Sequence, residues 1–285
     1  MPAAASVHLQ RSADGMATLW NHARMDADPR NPFDPASASP GADNMPPGKD
    51  RTEPDSRSVA AGQGLEWLRQ GWQAFLAAPG VWVVVTLLWV VAVVVLNLVP
   101  LFGMIAATLL ATVTIGGLMQ GCRALSRGEP FDIAWLWAGF GERVNPLLAL
   151  GGWYLLASLA IGMLVVLLSA VTAGLAGLAA VAGVAVLMAA IPSMLVIAIV
   201  LMAPVLMAVW FAPALIVFHR LPALDAMRVS FFASLRNAPA FLVFSLLYFV
   251  LVMLASLPAM LGWLVLLPVT FGTMYASYRD VFAQP

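Results

Sequence analysis

Residues 147–218, from Leu147 to Phe218, contain no Asp, Glu, Lys or Arg. A helix packed in a soluble domain keeps a polar face toward water, so it cannot run that far without charge. Two shorter charge-free stretches, 81–122 and 238–278, flank it. Only α-helices and closed barrels satisfy their backbone groups inside a bilayer, and apolar runs of this length are helical. The expected class is all-α, a polytopic transmembrane helical bundle.

Charge is rationed and segregated. Only 10% of the 285 residues are charged, against roughly a quarter in soluble domains. Eight of the 14 acids and six of the 14 bases lie in residues 1–60. That segment is rich in Pro, Asp, Ser, Ala and Gly, as in Asn31-Pro32-Phe33-Asp34-Pro35. It cannot bury enough apolar surface to offset chain entropy. Residues 1–60 are therefore expected to be a disordered N-terminal tail, and 61–285 a transmembrane domain. The first thirty residues lack the apolar core of a secretory signal, so the run from Val81 reads as a retained signal anchor. One cysteine, Cys122, excludes an internal disulfide.

A bilayer needs about 20 apolar residues per helical span. Six spans are expected, near 81–99, 102–121, 147–169, 193–217, 240–257 and 261–278. Trp82 is the expected interfacial anchor of the first. Gly117 and Gly121 form a GxxxG in the second, a motif for close helix approach. Arginine sets the count in the long stretch, because loops rich in Arg stay cytoplasmic. Arg123, Arg127 and Arg143 precede it, and Arg220, Arg228 and Arg236 follow it. An even number of spans must lie between, and two fit the length. The Ala/Gly-rich 170–190 then holds helix extensions and an outer turn; a re-entrant segment or a third span would also fit its length. Each pair of spans is expected to form a hairpin, with both termini cytoplasmic.

A shorter amphipathic segment precedes each hairpin. In 63–78, Leu65, Leu68, Trp72, Phe75 and Leu76 share one helical face. In 122–146, Phe131, Ile133, Trp135, Leu136, Trp137 and Phe140 suggest a second such helix. In 219–237, Leu224, Met227, Phe231 and Leu235 make the apolar stripe. Such helices lie in the membrane interface; packing on the bundle is the alternative. The unit recurs three times. Trp72, Phe140 and Phe232 precede Pro79, Pro146 and Pro239 by seven, six and seven positions, and the return spans end at Arg123, Arg220 and Arg279. Three such hairpins imply pseudo-threefold packing.

Catalytic and metal chemistry find little footing. The histidines are His8, His22 and His219, no HExxH occurs, and one Cys makes no thiolate site. No charged residue sits at mid-bilayer depth, where ion-coupled transporters usually keep one. An enzyme is not expected; it would need Asp132, Glu142 and His219 gathered together. No catalytic residue, metal ligand or cofactor is assigned. Polar residues in the spans, Asn97, Thr112, Thr114, Gln120, Tyr154, Ser158, Ser245, Tyr248, Thr270 and Tyr275, are expected to bond between helices or back to the turn before. The candidate contacts for anionic lipid headgroups are Arg123, Arg127, Arg143, Arg220, Arg228, Arg236 and Arg279, with Glu129, Asp132, Glu142, Asp225 and Asp280 expected to pair with them. The expected partner is the lipid bilayer, not nucleic acid. The function expected is a non-enzymatic lipid-interacting or scaffold module. The alternative is a passive pore for an apolar or lipid-like substrate, lined by spans 2, 4 and 6.

Several short motifs add a family likeness: Gly71-Trp72-x-x-Phe75 with Pro79-Gly80-Val81-Trp82, then Phe211-Ala212-Pro213-Ala214-Leu215, Ser230-Phe231 with Arg236-Asn237, and Tyr275-Ala276-Ser277-Tyr278-Arg279-Asp280. With these, residues 63–283 resemble a family of uncharacterised proteobacterial six-span inner-membrane proteins. That family is similar to the membrane domain fused to some glycerophosphodiester phosphodiesterases. The resemblance implies a topology and an inner-membrane location. It brings no catalytic residues, since the acidic metal site of those phosphodiesterases has no counterpart here.

Overall fold

The computed structural model describes residues 54–178 and 183–282, with side chains 175–191 left aside. The chain divides between Thr52 and Glu53, and the described residues all belong to the second unit. Among them every regular element is helical: α1 Gln63–Ala77, α2 Pro79–Asn97, α3 Phe102–Ser126, α4 Val144–Leu178, α5 Gly183–Trp210, α6 Ala212–His219, α7 Ala223–Arg236, α8 Ala238–Ser256 and α9 Trp263–Phe282, with two 3₁₀ turns at Ile133–Leu136 and Ala138–Phe140. Five stretches are long and apolar enough to cross a membrane: Pro79–Asn97, Phe102–Ser126, Val144–Gly174, Pro192–His219 and Ala238–Ser256. α9 has the length of a span, but it contains Arg279 and Asp280, and many of its residues are buried in the bundle.

Prolines and glycines set the boundaries. Pro79 opens α2 and Pro239 opens α8 in the first turn, where a missing amide hydrogen costs nothing. α3 runs past the expected 121 to Ser126. It stops in a Schellman motif, with Gly128 at φ 79° and the Glu129 amide donating to Ala124 O at 3.1 Å. The two described hairpin tips are built alike. Leu101 and Met260 both have φ 64°. Two residues later Gly103 and Gly262 lie against Leu96 and Ala255, seven positions back, where a side chain has no room. The 147–218 stretch holds two long helices that extend into 170–190, and the turn between them lies outside the described residues.

One segment departs from expectation. Residues 122–146 hold the two 3₁₀ turns and no amphipathic α-helix. Gly128, Pro130, Gly139 and Gly141 leave too short a run to propagate one. The segment also packs main chain to main chain: a Cβ on Gly139 would collide with Val113 O, and one on Gly117 with Trp135 O. The GxxxG of α3 thus receives this segment. Its Gly121 faces the Phe131 and Trp135 rings.

Trp82 is not an interfacial anchor either. It is fully buried, stacked on Phe131 at 4.0 Å, and its Nε1 donates to Ala74 O at 3.0 Å. A large flat ring gains most where another ring and a carbonyl meet it together.

The helices preceding the spans turn small residues inward. α1 buries Gly64, Trp67, Leu68, Gly71 and Phe75, while Leu65, Trp72 and Leu76 face out. α7 buries Ala226, Ser230, Ala233 and Ser234 and leaves Leu224, Phe232 and Leu235 outside. Membrane helices associate by close backbone approach, which small residues allow. α1 packs mainly on α9, the 3₁₀ segment on α3, and α7 on α5 and α6. Gly71 meets Val269 and Thr273, ten and six residues before Arg279. Gly139 meets Val113 and Gly117, ten and six residues before Arg123.

The third contact is a helix break. Ser230 Oγ inserts into the bond that Phe211 N would make to Met207 O, accepting from Phe211 N at 3.0 Å and donating to Met207 O at 2.7 Å. A side chain in the ladder, with Pro213 just beyond, separates α5 from α6.

Residues 54–60 fall within the stretch the sequence assigns to the tail, yet they are held. Asn237, buried, accepts from Val59 N at 2.8 Å and donates to Arg57 O at 3.1 Å. Arg57 N donates to Val281 O at 2.9 Å, the Arg57 side chain donates to Asp280 O, and Arg236 donates to Ser56 O.

Candidate functional site

Six of the seven arginines stand at or beside helix ends, and Arg228 lies within α7. Arg123 closes α3, Arg220 follows α6 and Arg279 lies in the last turn of α9. Arg143 precedes α4, Arg228 lies in α7, and Arg236 ends α7 just before α8. Arg127 caps α3. The acids do not pair with them. Among the described residues Arg69–Glu66, at 3.8 Å, is the one ion pair. Asp132 instead accepts from Ala134 N at 3.0 Å, capping the first 3₁₀ turn, and Asp280 accepts from Trp67 Nε1 at 2.9 Å. Their geometry is local: each carboxylate satisfies an N–H that would otherwise lack a partner.

Two of the seven have other uses. Arg236 donates to Ser56 O, holding the 54–60 segment together with Arg57, and Arg279 donates to Gln70 Oε1 at 2.8 Å. The side chains of Arg127, Arg143, Arg220 and Arg228 make no ion pair among the described residues. Arg123 lies over the Phe218 ring, 5.0 Å from its centroid, a cation–π contact.

Around Arg123 the ends of α3, α6 and α9 leave a cleft of about 260 Å³, walled by Arg123, Phe218, His219, Tyr275 and Tyr278. His219 Nε2 and Tyr278 Oη are 2.8 Å apart, and Tyr275 Oη lies 3.1 Å from Ser126 Oγ. A second cleft of similar volume opens on the other side of Arg123, bordered by Gln120, Arg127, Glu129 and Trp135. Below both, the three helices meet in a filled contact of Leu118, Met119, Ala214, Phe271 and Met274. Asp132, Glu142 and His219 are not gathered into a cluster of metal-ligating groups among the described residues.

With this geometry the chain can be set beside known proteins. A curated protein of Burkholderia thailandensis, named as a probable inner membrane protein, is 31% identical over 254 residues, which cover 79% of this chain and 92% of that protein. The chain belongs to this inner membrane protein family. No protein-family model and no solved structure matches it.

The motifs behind the family likeness fall on contacts of this inner membrane protein. Gly71 meets Thr273, Phe211 and Ser230 share the helix break, Asn237 holds residues 57 and 59, and Tyr275, Tyr278 and Asp280 bond Ser126, His219 and Trp67. The polar residues of the spans largely bond as expected: Asn97 to Val93 O, Thr112 to Leu109 O, Thr114 to Leu110 O, Thr270 to Leu266 O, and Tyr248 to Thr270. Sequence reading missed Phe218 and Tyr278 as site residues. Two aromatic residues in an apolar run carry no signal until a neighbouring helix supplies Arg123.

Proposed function

We propose that this is a six-span inner-membrane protein, built as three hairpins with both termini in the cytoplasm, that engages lipid at its cytoplasmic face without catalysing a reaction. The observation behind this reading is a ring left outside on each of the three segments ahead of a hairpin: Trp72 is 46% exposed, Phe140 45% and Phe232 57%. Among the described residues the side chains of Arg127, Arg143, Arg220 and Arg228 have no ion-pair partner. Rings at headgroup depth and free arginines at an anionic leaflet are the two elements of interfacial lipid binding. The resemblance to the membrane domain of some glycerophosphodiester phosphodiesterases fits a module that holds a position in the bilayer while chemistry belongs to a partner.

A passive carrier is the second reading. An open, almost wholly apolar cleft of about 440 Å³ between α5 and α8, lined by Met207, Trp210, Phe241 and Tyr248 among others, favours it. The filled contact among α3, α6 and α9 weighs against a path between them.

Reconstitution tests the lipid reading. The full chain is expected to unfold at a higher temperature in vesicles containing phosphatidylglycerol than in phosphatidylcholine alone; equal stability in both would end it. Reporter fusions at Gly103 and Gly262 should both report the periplasm, and a cytoplasmic signal at Gly262 would remove the sixth span.

A further inference from the structure

The cleft at Arg123 has the parts of a phosphate site. Its guanidinium presents a planar set of donors that matches phosphate oxygens. The Phe218 ring lies under the guanidinium, 5.0 Å from its Cζ, and the Arg123 side chain makes no ion pair among the described residues. The walls add the His219 and Tyr278 ring groups, bonded to each other at 2.8 Å, and the Tyr275 hydroxyl. A Tyr hydroxyl or an imidazole can turn a proton toward an incoming oxygen.

No carboxylate competes. Asp280 is turned to Trp67 and Asp132 to its own turn. Glu129 borders the neighbouring cleft and lies beyond ion-pair distance of Arg123. At about 260 Å³ the cleft is smaller than the roughly 300–1,000 Å³ of sites that enclose a drug-sized ligand. It suits a headgroup-sized anion.

All three repeated units contribute. Arg123, Arg220 and Arg279 are the matching ends of the return helices, so the residues just before them, Cys122, His219 and Tyr278, also match. Two of these carry ring groups and bond each other. The third is a small, buried thiol.

We propose that Arg123, with His219, Tyr275 and Tyr278, binds a phosphate group at the convergence of the three return helices, carried either by an anionic phospholipid headgroup or by a free phosphate. The site rests on the lipid reading above and makes it local: one arginine of the seven contributes most.

Native mass spectrometry and thermal unfolding of the full chain in a mild detergent test it, with phosphatidylglycerol, phosphatidylcholine and inorganic phosphate as the probes. Wild-type protein should retain phosphatidylglycerol over phosphatidylcholine. Arg123→Gln should weaken that retention about tenfold, the scale of one charge-assisted hydrogen bond. Tyr278→Phe should weaken it less, and Arg69→Gln, at an exposed ion pair outside the cleft, should leave it as it was. Displacement of the lipid by millimolar phosphate would assign the site to a soluble phosphate; lack of displacement would assign it to the headgroup. If Arg123→Gln binds phosphatidylglycerol as tightly as Arg69→Gln, this site is wrong while the wider lipid reading stands. If no protein distinguishes the two lipids, both fall.

Discussion

The two ends of the bundle are held by different forces. At the arginine-bearing end Trp67, Trp82, Phe211, Leu215, Ile216, Leu147 and Leu150 are almost fully enclosed. There α1, the 3₁₀ segment and α7 fill the spaces between spans. Toward the tips the same spans stand apart: Val94, Val95, Met163, Val166, Leu254 and Leu257 are exposed on every side the neighbours leave open. Exposure there carries no penalty, because acyl chains are as apolar as the side chains, and helix association has to come from packing alone. The difference teaches where specificity resides. The segments that do not cross the membrane determine how the ones that do are arranged.

Substitutions can break that contrast. The largest effect is expected for Trp82→Ala at the enclosed end, which removes the ring stacked on Phe131 and the bond to Ala74. A loss of about 3–5 kcal/mol is expected from the precedent of buried aromatic truncation, read as a lower unfolding midpoint in detergent. A loss below that of ordinary surface changes would mean the end is not closely packed. Next comes Gly139→Ala, whose added carbon meets Val113 O. Forcing the 3₁₀ segment off α3 should cost about 1–3 kcal/mol, and crosslinking between cysteines placed at Gln120 and Ala138, which are bonded at 3.4 Å, would report the displacement. The smallest is Val166→Ala, at a side chain 65% exposed. It should change stability by less than about 0.5 kcal/mol. A larger loss in bilayers would mean that another chain or a bound molecule covers that face.

The helical class and the apolar stretches were legible because lipid leaves no room for charge, and a missing charge can be counted. The arginines at the two borders of 147–218 led to an expectation of two spans there, and two apolar stretches long enough to cross, Val144–Gly174 and Pro192–His219, fall in it. What the amphipathic segments do was harder to read. Their apolar stripes were expected to face the membrane interface; Leu65, Trp72, Leu224 and Leu235 do turn out, while Leu68 and Phe75 turn in together with Gly71, Ser230 and Ser234. In water the larger apolar side chains would go inside; beside lipid, backbone approach decides, and a glycine gives no hydrophobic signal. The 3₁₀ segment escaped because its aromatic spacing imitates a helix while its glycines forbid one. Of the candidate site, Arg123 was visible as a border charge. Phe218 and Tyr278 become partners only through contacts 95 and 155 residues away in the chain.

The bond between Arg57 N and Val281 O, with Asn237 beneath it, fastens the segment before the first helix to the last turn of the final one. A ribosome delivers those two pieces more than two hundred residues apart. The earlier segment must wait, unfastened, until α9 has emerged. Ring closure then follows the placing of the helices between them, and a chain broken off before Val281 would lack the carbonyl that locks them.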